Sequence, residues 1–283
     1  MAEPLPTGPA DGYRLNQGPV VPCVGLGVFQ VEPGDATRRS VRWALEAGYR
    51  HIDTAKLYAN EEDVGLAVRA SGLAREEVFV TTKLWHTDHG FDAARAAFRG
   101  SLGRLRLGYV DLYLIHWPTA ASPAARADSW RALERLRDEG QCRAVGVSNY
   151  TVRHLEELRA TSDLVPAVDQ VEMHPFVYDP ELVDYCARHG IRIEAYSPLT
   201  RGRQLDHPLF ARIAAAHGRS PAQILLRWGI QHGFVVLPRS VREERIRENA
   251  RLFDFALDDA EMAALDALRD GSRVTQIDPR SIP

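Results

Sequence analysis

The first apolar run and the turn after it read Gly25-Leu26-Gly27-Val28-Phe29-Gln30, and this stretch decides between two folds. Short apolar runs alternate with amphipathic stretches along the 283 residues, which is typical of either a closed (β/α)8 barrel or a doubly wound open sheet. A dinucleotide-binding open sheet normally carries G-x-G-x-x-G in its first turn. Here the third glycine is absent and the aromatic Phe29 stands in the turn, so the sequence favours the barrel.

Eight apolar runs predict the parallel strands of this barrel. Four of them, over 78–82, 109–115, 144–147 and 234–237, are nearly continuous in apolar or β-branched residues, as strands covered on both faces should be. The eight runs end near Gly27, Asp53, Lys83, Ile115, Ser148, Gln170, Tyr196 and Leu237.

Amphipathic stretches between these runs predict the helices. They cover 36–47, 61–70, 92–106, 124–139, 151–160 and 180–189, with two more between 208 and 231. One of the last two begins at Ser220-Pro221, a helix cap followed by a first-turn proline. Residues 13–22 predict an N-terminal β-hairpin, and 258–268 predict an extra C-terminal helix. Because no linker divides the chain, we expect a single barrel domain over 1–283, with 1–12 flexible.

The composition excludes several classes of protein. With 45% hydrophobic residues, 26% charged residues and a net charge of −3, the chain is neither disordered nor strongly basic. Scattered arginines among 38 acidic residues form no basic face, so we expect no nucleic-acid partner. The first residues lack the pattern expected of a signal peptide and no apolar run reaches ~18 residues, so we expect neither a signal peptide nor a membrane partner. Three widely spaced cysteines indicate a reducing compartment, and we predict a cytoplasmic protein.

Polar residues that end apolar runs are the candidates for chemistry, because ligands bind a (β/α)8 barrel at the carboxyl ends of its strands. Asp53, Lys83 and His116 each follow such a run, and Tyr58 lies five residues after Asp53. Of 35 basic residues only Lys56 and Lys83 are lysines, a ratio that codon bias toward arginine explains. Codon bias does not explain why a lysine stands at position 83, whereas Lys56 has no evident chemistry.

These four side chains suit proton donation to a carbonyl oxygen, which requires a hydride source. A tyrosine has an ordinary pKa of about 10, and we expect the Lys83 ammonium, held by Asp53, to lower the pKa of Tyr58. A neutral His116 would orient the oxygen that receives the proton. No serine or cysteine ends a run beside a histidine, and His86 and His89 lack a third ligand, so we expect neither acyl transfer nor a metal site.

Each candidate also has a structural interpretation. Asp53 and Lys83 would then form a structural ion pair, His116 would be a packing residue, and Tyr58 would cover the surface. Other polar or large residues inside predicted elements have no evident partner and are expected to be structural: Asp111, Glu172, His174 and Trp228.

Four motifs, in order, resemble those of the aldo-keto reductases. They are Gly48-Tyr-Arg-His-Ile-Asp53-Thr-Ala-Lys-Leu-Tyr58-Ala-Asn-Glu61-Glu-Asp-Val-Gly65, Asp111-Leu-Tyr-Leu-Ile-His116-Trp-Pro118, Gly146-Val-Ser-Asn149-Tyr150, and Leu237-Pro-Arg239-Ser240 with Arg245 and Glu248-Asn249. The resemblance runs from about residue 20 to 268. Within the family the chain is most similar to bacterial reductases of the 2,5-diketo-D-gluconate reductase type, because Phe29 stands where many mammalian members have tryptophan.

The resemblance implies NADPH-dependent reduction of an aldehyde or ketone by a monomer, without metal. Tyr58 would donate the proton, Lys83 and Asp53 would tune it, and His116 would orient the carbonyl. Phe29, Trp85 and Trp117 would wall the substrate mouth, although aromatic residues at a rim also serve packing. The cofactor would be held by Ser148, Asn149 and Gln170 at the carboxamide, Tyr196 on the ring, Ser197 and Leu199 along the pyrophosphate, Arg239, Ser240 and Arg245 at the 2′-phosphate, and Glu248 and Asn249 at the adenine.

Two positions depart from the family pattern. Arg239 replaces the usual lysine, and a guanidinium still binds phosphate. Thr200 replaces a glycine in the loop expected over the pyrophosphate, and its branched side chain restricts the backbone of 197–202. Sequence leaves the substrate open among keto-sugars, dicarbonyls and other carbonyl compounds. The alternative function is a cofactor-binding sensor or partner subunit with little turnover. The presence of all four candidate residues, Asp53, Tyr58, Lys83 and His116, argues against it.

Overall fold

Eight parallel strands form the barrel that the sequence predicts. In the computed structural model, which describes residues 4–283, they follow an antiparallel hairpin of β1 (Gly12–Arg14) and β2 (Val20–Pro22). The barrel strands are β3 (Gly25–Gly27), β4 (His51–Asp53), β5 (Phe79–Leu84), β6 (Val110–Ile115), β7 (Cys142–Ser148), β8 (Val168–Glu172), β9 (Arg192–Tyr196) and β10 (Val235–Leu237).

The barrel closes where the first strand meets the last. Strands β3 to β10 pair in sequence order, and a parallel bridge between Val24 and Val236 joins the two ends of the sheet. A Cβ added to Gly25 would lie 2.6 Å from the Leu237 side chain and 2.7 Å from the His51 ring. Gly25, which has no side chain, therefore allows the first and last strands to approach closely enough to close the barrel.

Ten helices surround the barrel in the described part of the chain. They are α1 (Asp35–Glu46), α2 (Glu61–Ala70), α3 (Phe91–Leu105), α4 (Pro123–Asp138), α5 (Val152–Arg159), α6 (Pro180–Arg188), α7 (Pro208–His217), α8 (Pro221–Gln231), α9 (Glu243–Asn249) and α10 (Asp259–Asp266). The predicted helices are all present within two residues of their expected ends. Helix α9 was not predicted from the sequence.

Polar caps fix where several helices begin. The Ser220 side chain accepts from Gln223 N, and the Gln223 side chain in turn accepts from Ser220 N, which satisfies free amide groups at the start of α8. Asp258 and Glu261 make the same reciprocal pair at α10. The predicted start of α8 and the C-terminal extra helix are confirmed.

The residues expected to be structural have partners that the sequence did not reveal. The buried Asp111 accepts from Arg75 at 2.7 Å and from Arg143 at 2.9 Å. Trp228 Nε1 donates to Asp266 at 2.7 Å and ties α8 to α10. Glu172, beside His174, accepts from Val274 N at 2.6 Å and thereby fastens the C-terminal segment across the barrel mouth.

Of the N-terminal segment expected to be flexible, residues 1–3 lie outside the described residues, and Thr7 closes a turn through two hydrogen bonds to Asp11. Among residues 4–283 no helix is long and apolar enough to cross a membrane. Cys23, Cys142 and Cys186 are buried and free.

Candidate active site

A cavity of about 610 Å³ opens at the carboxyl ends of the barrel strands. Most of the residues predicted for the site line it. These are Phe29, Asp53, Tyr58, His116, Trp117, Ser148, Asn149, Gln170, Tyr196, Ser197, Leu199, Arg239, Ser240, Arg245, Glu248 and Asn249. Lys83 and Trp85 are absent from the lining: Lys83 lies below the floor, and Trp85 packs behind His116 with 5.2 Å between ring centroids.

Lys83 and Asp53 form a buried ion pair beneath Tyr58. The Lys83 Nζ lies 2.7 and 2.8 Å from the two Asp53 oxygens and donates to the Thr54 carbonyl at 2.9 Å. The same nitrogen lies 3.3 Å from the Tyr58 hydroxyl. Lys83 is 0% exposed and Asp53 is 3% exposed, so the ammonium is fixed by its partners and does not itself line the cavity.

The net environment of Tyr58 raises its pKa, and the expectation of a lowered pKa is wrong for this structure. Burial is the largest cause and the Asp53 carboxylate the next, while the Arg201 cation offsets part of the rise. The sequence indicated the nearby ammonium, which lowers the pKa of a tyrosine. It did not indicate the burial of the phenol, which raises that pKa by more. Tyr58 is therefore protonated at neutral pH and holds a proton that it can donate.

His116 stands beside Tyr58 as a neutral ring. The two ring centroids are 5.7 Å apart, edge to face. Burial, with help from the charge of Lys83, holds the pKa of His116 well below its usual range. Asn149 Nδ2 donates to the His116 carbonyl at 2.9 Å, which fixes the backbone at this strand end. An uncharged imidazole next to a protonated tyrosine gives two groups that can contact one ligand oxygen.

The ends of β7, β8 and β9 carry a connected set of polar side chains. Ser148 Oγ donates to the Gln170 carbonyl at 2.7 Å, and the Tyr196 hydroxyl donates to Asn149 Oδ1 at 2.7 Å. Asn149 has a φ of 64°, in the left-handed region that asparagine tolerates better than most residues. This wall presents hydroxyl and amide groups in fixed orientations to the cavity.

Three arginines line the cavity and give it positive charge. Arg245 makes no hydrogen bond or ion pair with any described residue, so its guanidinium is available to a ligand. Arg239 donates to the Gln30 carbonyl. Arg201 lies over the Phe29 ring, 5.6 Å from its centroid. All three arginines are exposed, and Arg239 and Arg245 flank the buried Ser240, where their guanidinium groups could bind an anion.

The loop after β9 holds non-glycine residues in the left-handed region. The φ angles of Ser197, Thr200 and Arg201 are 49°, 51° and 53°. Thr200 is fully buried, and its hydroxyl accepts from Gln204 N at 3.2 Å. A branched residue in this conformation is strained. With Thr200 in place of the expected glycine, the loop still forms a turn, but the threonine backbone is strained there.

Aromatic residues and one ion pair shape the rim. Phe29 is 37% exposed and packs on Tyr58 with 5.0 Å between centroids, whereas Trp117 is half-buried. Lys56, which had no evident chemistry, lies 2.5 Å from Asp88. This pair joins the loop that carries Tyr58 to the loop after Trp85.

Sequence reasoning missed several residues of the site. Ser220 and Pro221 line the cavity at the start of α8, and their helix-start signal could have indicated an anion-binding helix terminus. Arg201 and Thr275 also line it, but no motif marks them. In the described residues no group of three histidine, cysteine or acidic side chains could hold a metal ion.

The cavity thus brings together a protonated tyrosine over a buried ion pair, a neutral histidine and a group of arginines at the carboxyl ends of the barrel strands. The chain matches the model of the Aldo/keto reductase family over residues 24–270. It is 49% identical over 270 residues to a glyoxal reductase of Bacillus subtilis strain 168, covering 95% of this chain and 97% of that protein. The chain therefore belongs to the aldo/keto reductase family of oxidoreductases.

Other relatives extend this likeness. The chain is 46% identical over 282 residues to a morphine 6-dehydrogenase of Pseudomonas putida, covering 95% of this chain and 94% of that protein. Among solved structures, an aldo-keto reductase of Bombyx mori in complex with NADP matches with a TM-score of 0.89 at 36% identity, covering 96% of this chain and 98% of that one.

Proposed function

We propose that this protein reduces an aldehyde or ketone to an alcohol with NADPH, and that Tyr58 donates the proton. The observation that carries the proposal is the Tyr58 hydroxyl, which lines the cavity and lies 3.3 Å from the Lys83 ammonium. Carbonyl reduction is also what the family and its glyoxal reductase member support.

Each of the four catalytic residues has one task in this proposal. The carbonyl oxygen accepts hydrogen bonds from the Tyr58 hydroxyl and from the neutral His116 ring, which together orient it. As negative charge develops on that oxygen, Tyr58 gives up its proton. The Lys83 ammonium stabilises the resulting phenolate, and Asp53 keeps the ammonium in place.

We propose that the cavity holds a nicotinamide dinucleotide phosphate, which would supply the hydride when bound. The unpaired Arg245 and the neighbouring Arg239 would bind the 2′-phosphate beside Ser240, with Glu248 and Asn249 at the adenine. Ser148, Asn149 and Gln170 would hold the carboxamide, and Tyr196 would stack on the ring. Ser197 and Leu199 would follow the pyrophosphate. The Bombyx mori relative in complex with NADP supports this cofactor.

The substrate we propose is a small or flat carbonyl compound, such as a dicarbonyl or keto-sugar. Phe29 and Trp117 line the mouth and would help to keep water from the reacting carbon, while Trp85 packs against His116 from behind. Two relatives, a glyoxal reductase and a morphine 6-dehydrogenase, support a reaction between a carbonyl group and an alcohol.

We further propose that the protein is one barrel domain over 1–283 that works as a cytoplasmic monomer on small molecules. One continuous hydrophobic core and three buried free cysteines support this proposal. Light scattering after gel filtration would measure the mass, and a value near twice 31.6 kDa would contradict the monomer.

The experiment that tests the function is a carbonyl panel with purified protein. We expect loss of the NADPH absorbance with aldehydes and dicarbonyls, and formation of the matching alcohol. The control is the same panel without carbonyl compound. NADPH binding without turnover on any member would contradict the reductase and favour a cofactor-binding sensor.

A further inference from the structure

Glu194 is a buried carboxyl group inside the barrel, and the mechanism proposed above gives it no role. It lies on β9 and is 0% exposed. Its Oε2 accepts a hydrogen bond from Gln170 Nε2 at 2.8 Å, and its Oε1 has no partner among residues 4–283. Burying a polar group with an unpaired atom destabilises the folded protein. The presence of Glu194 at this buried position therefore suggests a role in function.

The Gln170 amide nitrogen is held from two sides. It donates to Glu194 Oε2 and also to Asp53 Oδ2, at 2.8 Å in both cases. A side-chain amide nitrogen has two hydrogens, and both are used here. The amide therefore cannot turn over without losing both hydrogen bonds and setting its oxygen against the Asp53 carboxylate. Its Oε1 makes no hydrogen bond to any described residue, and Gln170 lines the cavity.

We propose that Glu194 is a positioning residue that, together with Asp53, fixes the Gln170 amide so that its oxygen faces the cavity and accepts a hydrogen bond from an amide donor of the ligand. Under the proposed function, on which this inference rests, that donor is the carboxamide NH2 of the nicotinamide. Glu194 would thus act through Gln170 and would not touch the reacting atoms.

The charge of Glu194 is compatible with this task. Burial, and next the Asp53 carboxylate, raise the pKa of Glu194 to about 8, while Gln170 and Lys83 offset part of that rise. At neutral pH the group is mostly a neutral acid. It offers its carbonyl oxygen to Gln170 without adding a second negative charge beside the Lys83–Asp53 pair.

The test compares NADP⁺ with its 3-acetylpyridine analogue, in which a methyl group replaces the carboxamide NH2. Dissociation constants come from quenching of tryptophan fluorescence in the full-length protein. We expect the wild type to bind NADP⁺ about tenfold more tightly than the analogue, as one hydrogen bond supplies. Glu194→Met, whose thioether sulfur is only a weak acceptor, should reduce that ratio to nearly one.

Two further variants distinguish the loss of Gln170 positioning from a nonspecific effect of substitution. Glu194→Gln keeps an acceptor oxygen for Gln170 and should retain most of the tenfold ratio. Glu62→Met, the same kind of substitution at an exposed position of α2, should leave the ratio unchanged. A full ratio in folded Glu194→Met would overturn the inference, and so would a wild type that does not distinguish the two dinucleotides.

A second measurement does not depend on the cofactor. In NMR spectra of the unliganded wild type, the two side-chain amide hydrogens of Gln170 should exchange slowly, because both are hydrogen-bonded inside the barrel. Fast exchange would overturn the positioning role even if Glu194→Met does not fold. Failure of the wild type to bind either dinucleotide would instead contradict the proposed function, and the exchange rate would then decide the role of Glu194.

Discussion

Replacing Glu194 by glutamine should change how the stability of the protein depends on pH. The carboxyl has an ordinary pKa of 4.5, and burial beside Asp53 raises it to about 8 in the folded protein. Between these values the unfolded chain has lost the proton while the folded protein keeps it. The stability contributed by this group is therefore complete below about pH 4.5 and is lost as the pH rises toward about 8.

The magnitude follows from the size of the shift. Each pKa unit corresponds to about 1.4 kcal/mol, so a shift from 4.5 to about 8 amounts to roughly 5 kcal/mol. Glu194→Gln removes this pH-dependent loss. It introduces a buried amide whose cost of about 1–3 kcal/mol is the same at every pH. Relative to the wild type, the variant should gain stability steadily with pH and stop gaining above about pH 8.

Urea unfolding from about pH 5 to about pH 9 measures this difference. The matched control is Glu62→Gln on the exposed face of α2, which should follow the wild type at every pH. A constant difference between Glu194→Gln and the wild type over the whole range would refute the reasoning, because Glu194 would then be ionised in the folded protein as it is in the unfolded chain.

Two further predictions concern the buried ion pair and the anion site. Lys83→Met leaves Asp53 buried without its cation, so it should lower the free energy of unfolding by about 3–5 kcal/mol, and adding Asp53→Asn should recover part of that loss in urea unfolding. Both variants should lack carbonyl reduction; equal stability of the single and double variants would contradict the pairing. Arg245→Ala should weaken NADPH binding far more than NADH binding in fluorescence titrations, with Arg212→Ala, an exposed arginine outside the cavity lining, as the control. Equal losses for both cofactors would remove the 2′-phosphate role.

The barrel was predictable because its signals are local. Alternating runs marked the eight strands, and polar residues at the ends of those runs marked Asp53, Lys83 and His116. Helix α9 was missed because its seven residues, EERIREN, contain a single apolar residue and give no periodic pattern. Glu194 was missed because it stands between Ile193 and Ala195, and only the strand register shows that it lies beside Gln170 on the neighbouring strand β8.

The pKa shifts and ion-pair partners of the site residues were harder to predict from the sequence than the places of those residues in the barrel. The sequence indicated that an ammonium stands near Tyr58, but it did not indicate how deeply the phenol is buried, and burial decides the direction of the pKa shift. Lys56 illustrates the same limit, because its partner Asp88 lies in a different loop. A substitution such as Lys83→Arg also looks mild in sequence, whereas a 0% exposed side chain leaves no room for a longer one without overpacking.

The proton-donor role of Tyr58 is tested most directly by Tyr58→Phe, which removes one hydroxyl and keeps the ring against Phe29 and His116. The measurement pairs the rate of carbonyl reduction with the dissociation constant for NADPH. We predict that reduction is nearly abolished while NADPH binding changes little. Turnover equal to that of the wild type would contradict proton donation by Tyr58.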